Sequence, residues 1–181
     1  MNTGIVSVTT QLNDIPAIST TIWFSGCKLK CNGCQNTELE NFQNGIKLDS
    51  IKKTLKDRRE MTDWLVYLGG NPLDNIQALL IVSAYGKELG FKQFLYTGYN
   101  FESFSKMFDE YTHAELLQNF EYIKCGEYDL GYSKSTCGEI GKKYFFDTIN
   151  QKVYKKSDGK WQPFYYFSIN QNEIFGSMEA I

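Results

Sequence analysis

The sequence predicts an α/β fold with a small C-terminal antiparallel β appendage. Over the first two-thirds, short apolar runs end in glycine turns and lead into amphipathic segments, which is typical of β-α-β units with parallel strands. After residue 140, apolar and polar residues alternate with the two-residue period of antiparallel strands. We therefore expect a core domain over residues 1–140, its sheet open or curled into part of a barrel. A β-hairpin extension over residues 141–181 is expected to pack on the same single domain.

Composition narrows the class of protein. The 181 residues are 42% hydrophobic and 15% aromatic, which suits one globular domain with a substantial core. A net charge of −2 gives no electrostatic reason to expect binding to nucleic acid or to an anionic membrane. Five cysteines, three of them in one loop, do not suit a secreted disulfide framework. Without a signal-peptide pattern or a long apolar run, the expected location is the reducing cytoplasm.

The predicted elements follow one another along the chain. Apolar or alternating β-rich runs predict strands at residues 5–8, 15–24, 63–68, 91–96 and 122–125. Apolar residues at helical spacing predict helices at residues 48–59, 74–89 and 101–108. Ile18, Ile22 and Phe24 are expected on one face of the second strand, and Asp74 is expected to cap the second helix.

The C-terminal region predicts a hairpin. Residues 143–147, 151–156 and 160–167 alternate between apolar and polar side chains. Asp158-Gly159 lies between the last two runs, and this dipeptide is a strong signal for a tight hairpin turn. The polar tail from Ser168 onward is expected to be loosely held.

Three cysteines follow the second predicted strand. Cys27, Cys31 and Cys34 have the spacing C-x3-C-x2-C, which can place three thiolates around one metal centre. Zinc sites and iron–sulfur clusters normally take four protein ligands, and this loop supplies three. A [4Fe–4S] cluster held in this way would keep one iron open for a substrate. The alternative is a structural zinc site completed from elsewhere in the chain, with Cys125, Cys137 and His113 as candidates.

Other glycine-containing turns are expected beside this loop. Sites in parallel sheets lie at the carboxyl ends of the strands. The predicted strands end at Gly26-Cys27, Gly69-Gly70-Asn71-Pro72, Thr97-Gly98-Tyr99 and Cys125-Gly126. A glycine pair lets a ligand approach the backbone closely, and Pro72 stiffens the turn that follows.

The order of these motifs resembles the radical SAM superfamily. In that superfamily a C-x3-C-x2-C loop follows one strand and a Gly-Gly-x-Pro turn follows the next. More narrowly, residues 24–36 and 96–99 resemble the activating proteins of anaerobic (class III) ribonucleotide reductases, in which Gly33 before the third cysteine is typical. Residues 122–128 and 148–154 resemble later segments of that family, so the match covers roughly residues 3 to 155.

The resemblance implies a fold and a set of site residues. The fold would be a partial (β/α) barrel of the radical SAM type. Cys27, Cys31 and Cys34 would be the catalytic and metal-binding residues, holding three irons while S-adenosylmethionine (SAM) chelates the fourth. The residues implied to bind the cofactor are Gly33, Gly69, Gly70, Asn71, Pro72, Thr97 and Tyr99. Gly69 to Asn71 would contact the methionyl end, and Tyr96, Thr97 and Tyr99 the adenosine unless they belong to the core.

The resemblance also implies a reaction. An electron from a flavodoxin-like donor would reach the cluster, and reductive cleavage of SAM would give methionine and a 5′-deoxyadenosyl radical. That radical would remove a hydrogen atom from a glycine of the large subunit of the anaerobic reductase, which then stores a glycyl radical. The protein would bind and orient these groups and exclude water and oxygen.

Two residues depart from the family pattern. Asn71 stands where the family usually has an acidic residue, so an amide contact is expected to replace a carboxylate contact to the SAM amino group. Lys152 stands where an arginine is usual, and it lacks the planar fork of a guanidinium group.

Two other functions remain open from the sequence. One is a different small radical SAM enzyme, either another glycyl-radical activase or an enzyme that modifies a small molecule or peptide. The other is a zinc-stabilised interaction module, in which Cys125 or Cys137 would matter as much as Cys27.

Overall fold

The fold is built on a sheet whose central strands are parallel. The structure is a computed structural model, and it describes residues 2–104, 106–132, 142–143, 148, 150–164, 166–170 and 173–177. The strands are β1 Ile5–Ile15, β2 Ala17–Phe24, β3 Trp64–Gly69, β4 Lys92–Thr97, β5 Tyr122–Cys125, β6 Lys142–Lys143, β7 Lys152–Ser157, β8 Lys160–Phe164, β9 Tyr166–Asn170 and β10 Glu173–Ser177. The α-helices are α1 Leu48–Arg58, α2 Ile76–Glu88, α3 Phe101–Phe104 and α4 Glu110–Leu117, and short 3₁₀ turns lie at Thr37–Leu39, Pro72–Asn75 and Leu130–Tyr132.

Seven of the described strands form one sheet in the order β1-β2-β3-β4-β5-β7-β8. Strands β2 to β5 are mutually parallel, whereas β1 is antiparallel to β2 at one end and β7 is antiparallel to β5 at the other. The predicted α/β class with a parallel core is confirmed. The sheet does not close into a barrel.

Strand β3 shows why the centre of this sheet is apolar on both faces. Leu65 and Tyr67 belong to the cluster that includes buried residues of all four helices, whereas Val66 and Leu68 belong to a second cluster on the opposite face. A continuous apolar run is what a parallel strand buried on both sides requires. That second cluster contains no helical residue among those described. The helices therefore cover one face of the sheet.

The predicted helices lie at the expected positions in the chain, but their lengths differ from the predicted lengths. Helix α1 ends one residue before the predicted end, but the helix predicted over 101–108 is only the single turn α3. Helix α4 is a separate element, and its N-cap is Asp109, whose carboxylate accepts a hydrogen bond from the backbone N–H of Thr112 at 3.0 Å. No helix in the described part of the chain is long and apolar enough to cross a membrane.

One core prediction for β2 was wrong. Ile22 and Phe24 are buried as expected, but Ile18 is 56% exposed. Pairing of β2 with β3 begins only at Ser19, so Ile18 precedes the part of the strand that the sheet surrounds.

The C-terminal hairpin is confirmed, and it continues the main sheet. Ser157 pairs with Lys160 across a two-residue turn, in which Asp158 and Gly159 both have positive φ (51° and 76°). This is the backbone that an Asp-Gly hairpin turn needs. Because β7 pairs with β5, the hairpin is not a separate appendage but two further strands of the same sheet.

Strands β6, β9 and β10 form a second, three-stranded sheet. The expectation of a loosely held tail from Ser168 onward was wrong for residues 168–170 and 173–177, since β10 pairs with β9 and β9 pairs with β6. Of the strand predicted at 143–147, residues 144–147 lie outside the described residues, and so does Cys137.

Candidate functional site

The carboxyl ends of the four parallel strands are neighbours at one edge of the sheet. Phe24 at the end of β2 pairs with Gly69 at the end of β3, and Thr97 of β4 pairs with Cys125 of β5. A glycine follows each strand closely, at residues 26, 70, 98 and 126. The four turns that the sequence predicts to converge are therefore adjacent.

The glycine turn after β3 contacts the backbone just before the first cysteine of the loop. The N–H of Gly70 donates to the carbonyl oxygen of Phe24 at 2.7 Å, and the N–H of Asn71 donates to that of Gly26 at 2.9 Å. A Cβ atom on Gly70 would lie only 2.7 Å from the same Gly26 oxygen. The absence of side chains at the turn therefore lets the main chains of the two motifs touch.

The three loop cysteines are free and partly buried. Burial, opposed by a backbone hydrogen bond from Leu29 and reinforced by the charge of Asp74, raises the pKa of the Cys27 thiol to about 11. Burial also raises the pKa of Cys31, and the charge of Cys34 contributes to both shifts. The thiols therefore lie within electrostatic range of one another. The raised pKa values favour the protonated thiols of Cys27 and Cys31 until an electropositive centre displaces the protons.

The described residues bring no fourth cysteine or histidine to the loop. Cys125 is buried at the end of β5, and the pKa of its thiol is raised by burial and by the charge of Glu102. His113 packs against Phe104, with ring centroids 4.9 Å apart. Among described residues there is also no group of three or more Cys, His, Asp or Glu side chains close enough to hold a single ion. Three loop thiols without a nearby fourth ligand fit a cluster with one open iron, because a cluster spreads its ligands farther apart than one ion does.

A second segment packs against the tip of the cysteine loop. The N–H of Leu130 donates to the carbonyl oxygen of Asn32 at 3.1 Å, and the Asn32 amide donates to the Asp129 carboxylate at 3.2 Å. Gly33 has a φ of 73°, and a Cβ atom there would lie 2.9 Å from the Cβ of Leu130. Gly33 therefore allows this close packing. No local signal in the sequence indicates the contact, because it joins segments far apart in the chain.

Asn71 is held in one orientation by its neighbours. Its Oδ1 accepts from the N–H of Leu73 at 3.3 Å and from the hydroxyl of Thr97 at 3.1 Å. The side chain is 1% exposed, and its Nδ2 has no hydrogen-bond partner among the described residues. Thr97 in turn accepts from the N–H of Tyr99 at 3.2 Å. The Thr97 hydroxyl therefore orients Asn71 and the turn after β4.

Pro72 and Tyr96 take different places. Pro72 is buried as the first residue of the 3₁₀ turn that leads into α2. Tyr96 belongs to the cluster on the opposite face of the sheet, where its ring packs on Phe94 at 5.0 Å and its hydroxyl donates to the carbonyl of Asp14. The core alternative that the sequence left open therefore applies to Tyr96.

Asp74 is a site residue that the sequence analysis missed. Its Oδ2 accepts from the backbone N–H of Lys28 at 2.9 Å, and its Oδ1 accepts from the hydroxyl of Tyr99 at 2.9 Å. The predicted role as a helix cap was wrong, since α2 has Asn75 at its N-cap. The Asp74 side chain is only 1% exposed. It links the cysteine loop to the turn after β4.

Replacing Asp74 with alanine should destabilise the chain by about 2 kcal/mol, because the Lys28 N–H and the part-buried Tyr99 hydroxyl would lose their acceptor. Urea unfolding of the cluster-free chain under reducing conditions measures this loss. Tyr99→Phe removes one of the two donors and should cost about 1 kcal/mol. The two losses should sum to more than the loss in the double variant, because the residues share one hydrogen bond.

Asp129→Ala is the matched control for Asp74→Ala. Asp129 also accepts an exposed hydrogen bond from the cysteine loop, but it lacks the part-buried bond that joins Asp74 to Tyr99. Its removal should cost less than about 0.5 kcal/mol. Equal losses for the two alanine variants would contradict the assignment of Asp74 as the buried link.

Two comparisons place the chain among known proteins. A family model described as a 4Fe–4S single cluster domain matches residues 16–141. The chain is also 25% identical, over 158 residues, to the anaerobic ribonucleoside-triphosphate reductase-activating protein of Enterobacteria phage T4. That alignment covers 81% of this chain and 90% of the phage protein. Because the family model covers more than half of its length, the chain belongs to the family of 4Fe–4S single cluster domains.

Proposed function

We propose that the chain is a radical SAM activase that generates the glycyl radical of an anaerobic ribonucleoside-triphosphate reductase. It would hold one [4Fe–4S] cluster on Cys27, Cys31 and Cys34 and bind SAM beside it. The observation that carries the proposal is the direct bonding of the glycine turn to the cysteine loop, through Asn71 N–H and Gly26 C=O at 2.9 Å. This bond puts the glycine turn next to the loop that carries the three cysteines.

The residues where the glycine turn meets the cysteine loop have distinct roles in this proposal. Gly69 and Gly70 let the turn lie against the backbone before the cysteine loop, which would place the turn beside the methionyl end of SAM. Asp74 holds the cysteine loop against the turn after β4. Tyr99 remains a neutral donor, because burial and its hydrogen bond to Asp74 raise the pKa of its hydroxyl. When bound, the cluster and SAM together supply a one-electron cleavage of a sulfonium C–S bond and, through it, abstraction of a glycine hydrogen atom. The chain binds, orients and shields these groups.

The relative and the surface around the loop both support the proposed partner. The phage protein is named as an activator of an anaerobic ribonucleoside-triphosphate reductase, and this chain aligns with 90% of it. Phe42 and Leu130 pack beside Gly26 and Gly33 of the loop, and they are 55% and 56% exposed. Exposed apolar side chains beside a site favour a protein substrate. We therefore propose the large reductase subunit as substrate and a flavodoxin-like protein as electron donor.

Electron paramagnetic resonance tests the proposal in two steps. The anaerobically reconstituted, reduced chain should give a [4Fe–4S]⁺ signal that changes shape when SAM is added. Adding the large subunit of the reductase should then produce a glycyl radical signal that requires both SAM and reductant. A protein with stoichiometric zinc and no cluster signal would refute the proposal, and so would a cluster that is indifferent to SAM.

A further inference from the structure

We propose that Asn71 binds SAM as a hydrogen-bond donor, with its Nδ2 directed at the carboxylate of the methionyl group. This inference rests on the proposed function and makes it more specific. It reverses the expectation from the family resemblance, in which the residue at this position accepts a hydrogen bond from the amino group. The starting observation is that Nδ2 is buried and has no partner among the described residues.

The orientation of the amide follows from its backbone contact. The N–H of Leu73 can only donate, and it points at Oδ1 of Asn71 at 3.3 Å. Rotating the amide by half a turn would put Nδ2 against this N–H, so that two donors would face each other. The hydroxyl of Thr97 also lies at Oδ1, at 3.1 Å. Oδ1 therefore has two donors already, and Nδ2 is the atom left for a ligand.

The burial of Asn71 makes this free donor significant. The residue is 1% exposed, so bulk water does not reach Nδ2. A buried donor without an acceptor costs about 1–3 kcal/mol. Such atoms are rare in native proteins, and they indicate a missing partner. A bound ligand with an acceptor at this point would remove the cost.

The position of Asn71 decides which part of the ligand it meets. Its own N–H is bonded to the carbonyl of Gly26, one residue before Cys27. A ligand that chelates the open iron therefore places its chelating end near Asn71. In SAM that end carries an amine and a carboxylate. The amine is a donor and the carboxylate is an acceptor, so the carboxylate matches a free N–H.

The replacement Asn71→Asp distinguishes the two roles because they predict opposite effects. An aspartate keeps an oxygen for Leu73 and Thr97 and changes only Nδ2 into a second oxygen. If Asn71 donates to the carboxylate, the new charge repels it, and the dissociation constant for SAM should rise about tenfold or more. If the position accepts from the amine, the same change should tighten binding. Calorimetric titration of the oxidised, cluster-loaded protein with SAM at pH 8 measures the difference without turnover.

Three further measurements keep the test decisive. Asn100→Asp adds the same charge at an exposed residue beyond the neighbouring strand end, and it should change the dissociation constant less than about twofold. Asn71→Ser keeps an oxygen for Leu73 but loses the amide donor, so it should weaken binding about fivefold. If either Asn71 variant fails to hold a cluster, the unaltered protein is titrated with decarboxylated SAM. This analogue lacks both the acceptor for Nδ2 and one of the two groups that would chelate the iron, so it should bind at least about tenfold more weakly than SAM.

The outcomes separate this inference from the proposed function. Tighter or unchanged binding by Asn71→Asp overturns the donor role, as does unchanged binding by Asn71→Ser. Equal affinity of the unaltered protein for SAM and decarboxylated SAM also overturns it. A cluster-loaded protein that binds no SAM refutes the proposed function itself, whereas SAM binding without the Asn71 effects refutes only the donor role.

Discussion

Replacing Cys27, Cys31 or Cys34 singly with serine should reduce bound iron from about four atoms per chain to less than one. The loop offers three thiols, and the described residues provide no cysteine or histidine nearby to substitute for a lost one. A cluster left with two protein ligands is expected to be lost on desalting. Iron and sulfide analysis after anaerobic reconstitution measures this directly, together with the visible absorbance of the cluster.

Cys125→Ala is the matched control for the cysteine variants. Cys125 is also a free cysteine at a strand end, but it is 3% exposed and belongs to the core cluster. Its replacement should cost about 1 kcal/mol of stability and leave the iron content unchanged. A Cys27 variant that keeps four irons would contradict the assignment of the loop. Equal loss of metal from the Cys125 variant would instead favour the zinc alternative.

The sequence predicted the parts of the fold that local patterns determine. The apolar run at 63–68 corresponds to β3, because a strand buried on both faces needs apolar side chains along its length. The dipeptide Asp158-Gly159 became a hairpin turn, because both residues tolerate a positive φ. In each case the residues that determine the local structure lie within a few positions of it in the sequence.

The predictions that failed depend on contacts between distant segments. The neighbours of Asp74 in the sequence indicate a helix N-terminus, but its carboxylate accepts from the N–H of Lys28, which is 46 residues away. The extension of the sheet by β7 was missed because alternation predicts a strand but not the partner that it pairs with. The same limit applies to the cysteine loop. The spacing of its cysteines is visible in the sequence, but the bond between Gly26 and Asn71 is not.

Gly69→Ala should have the largest effect on stability of any single replacement considered, a loss of about 4 kcal/mol or more. Gly69 has a φ of 117°, and a Cβ atom there would lie 2.3 Å from the carbonyl oxygen and 2.8 Å from the nitrogen of Phe24. The positive φ alone costs an alanine about 1–2 kcal/mol. The rest arises because both clashing atoms belong to the backbone of β2, which pairs with Gly69 and cannot move aside.

Gly159→Ala isolates the contribution of this close approach. Gly159 has a φ of 76°, but a Cβ atom there would meet nothing within 4 Å. This variant should therefore lose only about 1–2 kcal/mol, and urea unfolding of the two cluster-free variants gives the difference. A gap of about 2 kcal/mol or more would mean that contact between the glycine turn and β2 requires glycine at position 69. If the two variants lose the same free energy of unfolding, the positive φ alone would explain the glycine at position 69. The close approach of the turn to β2 would then not require it.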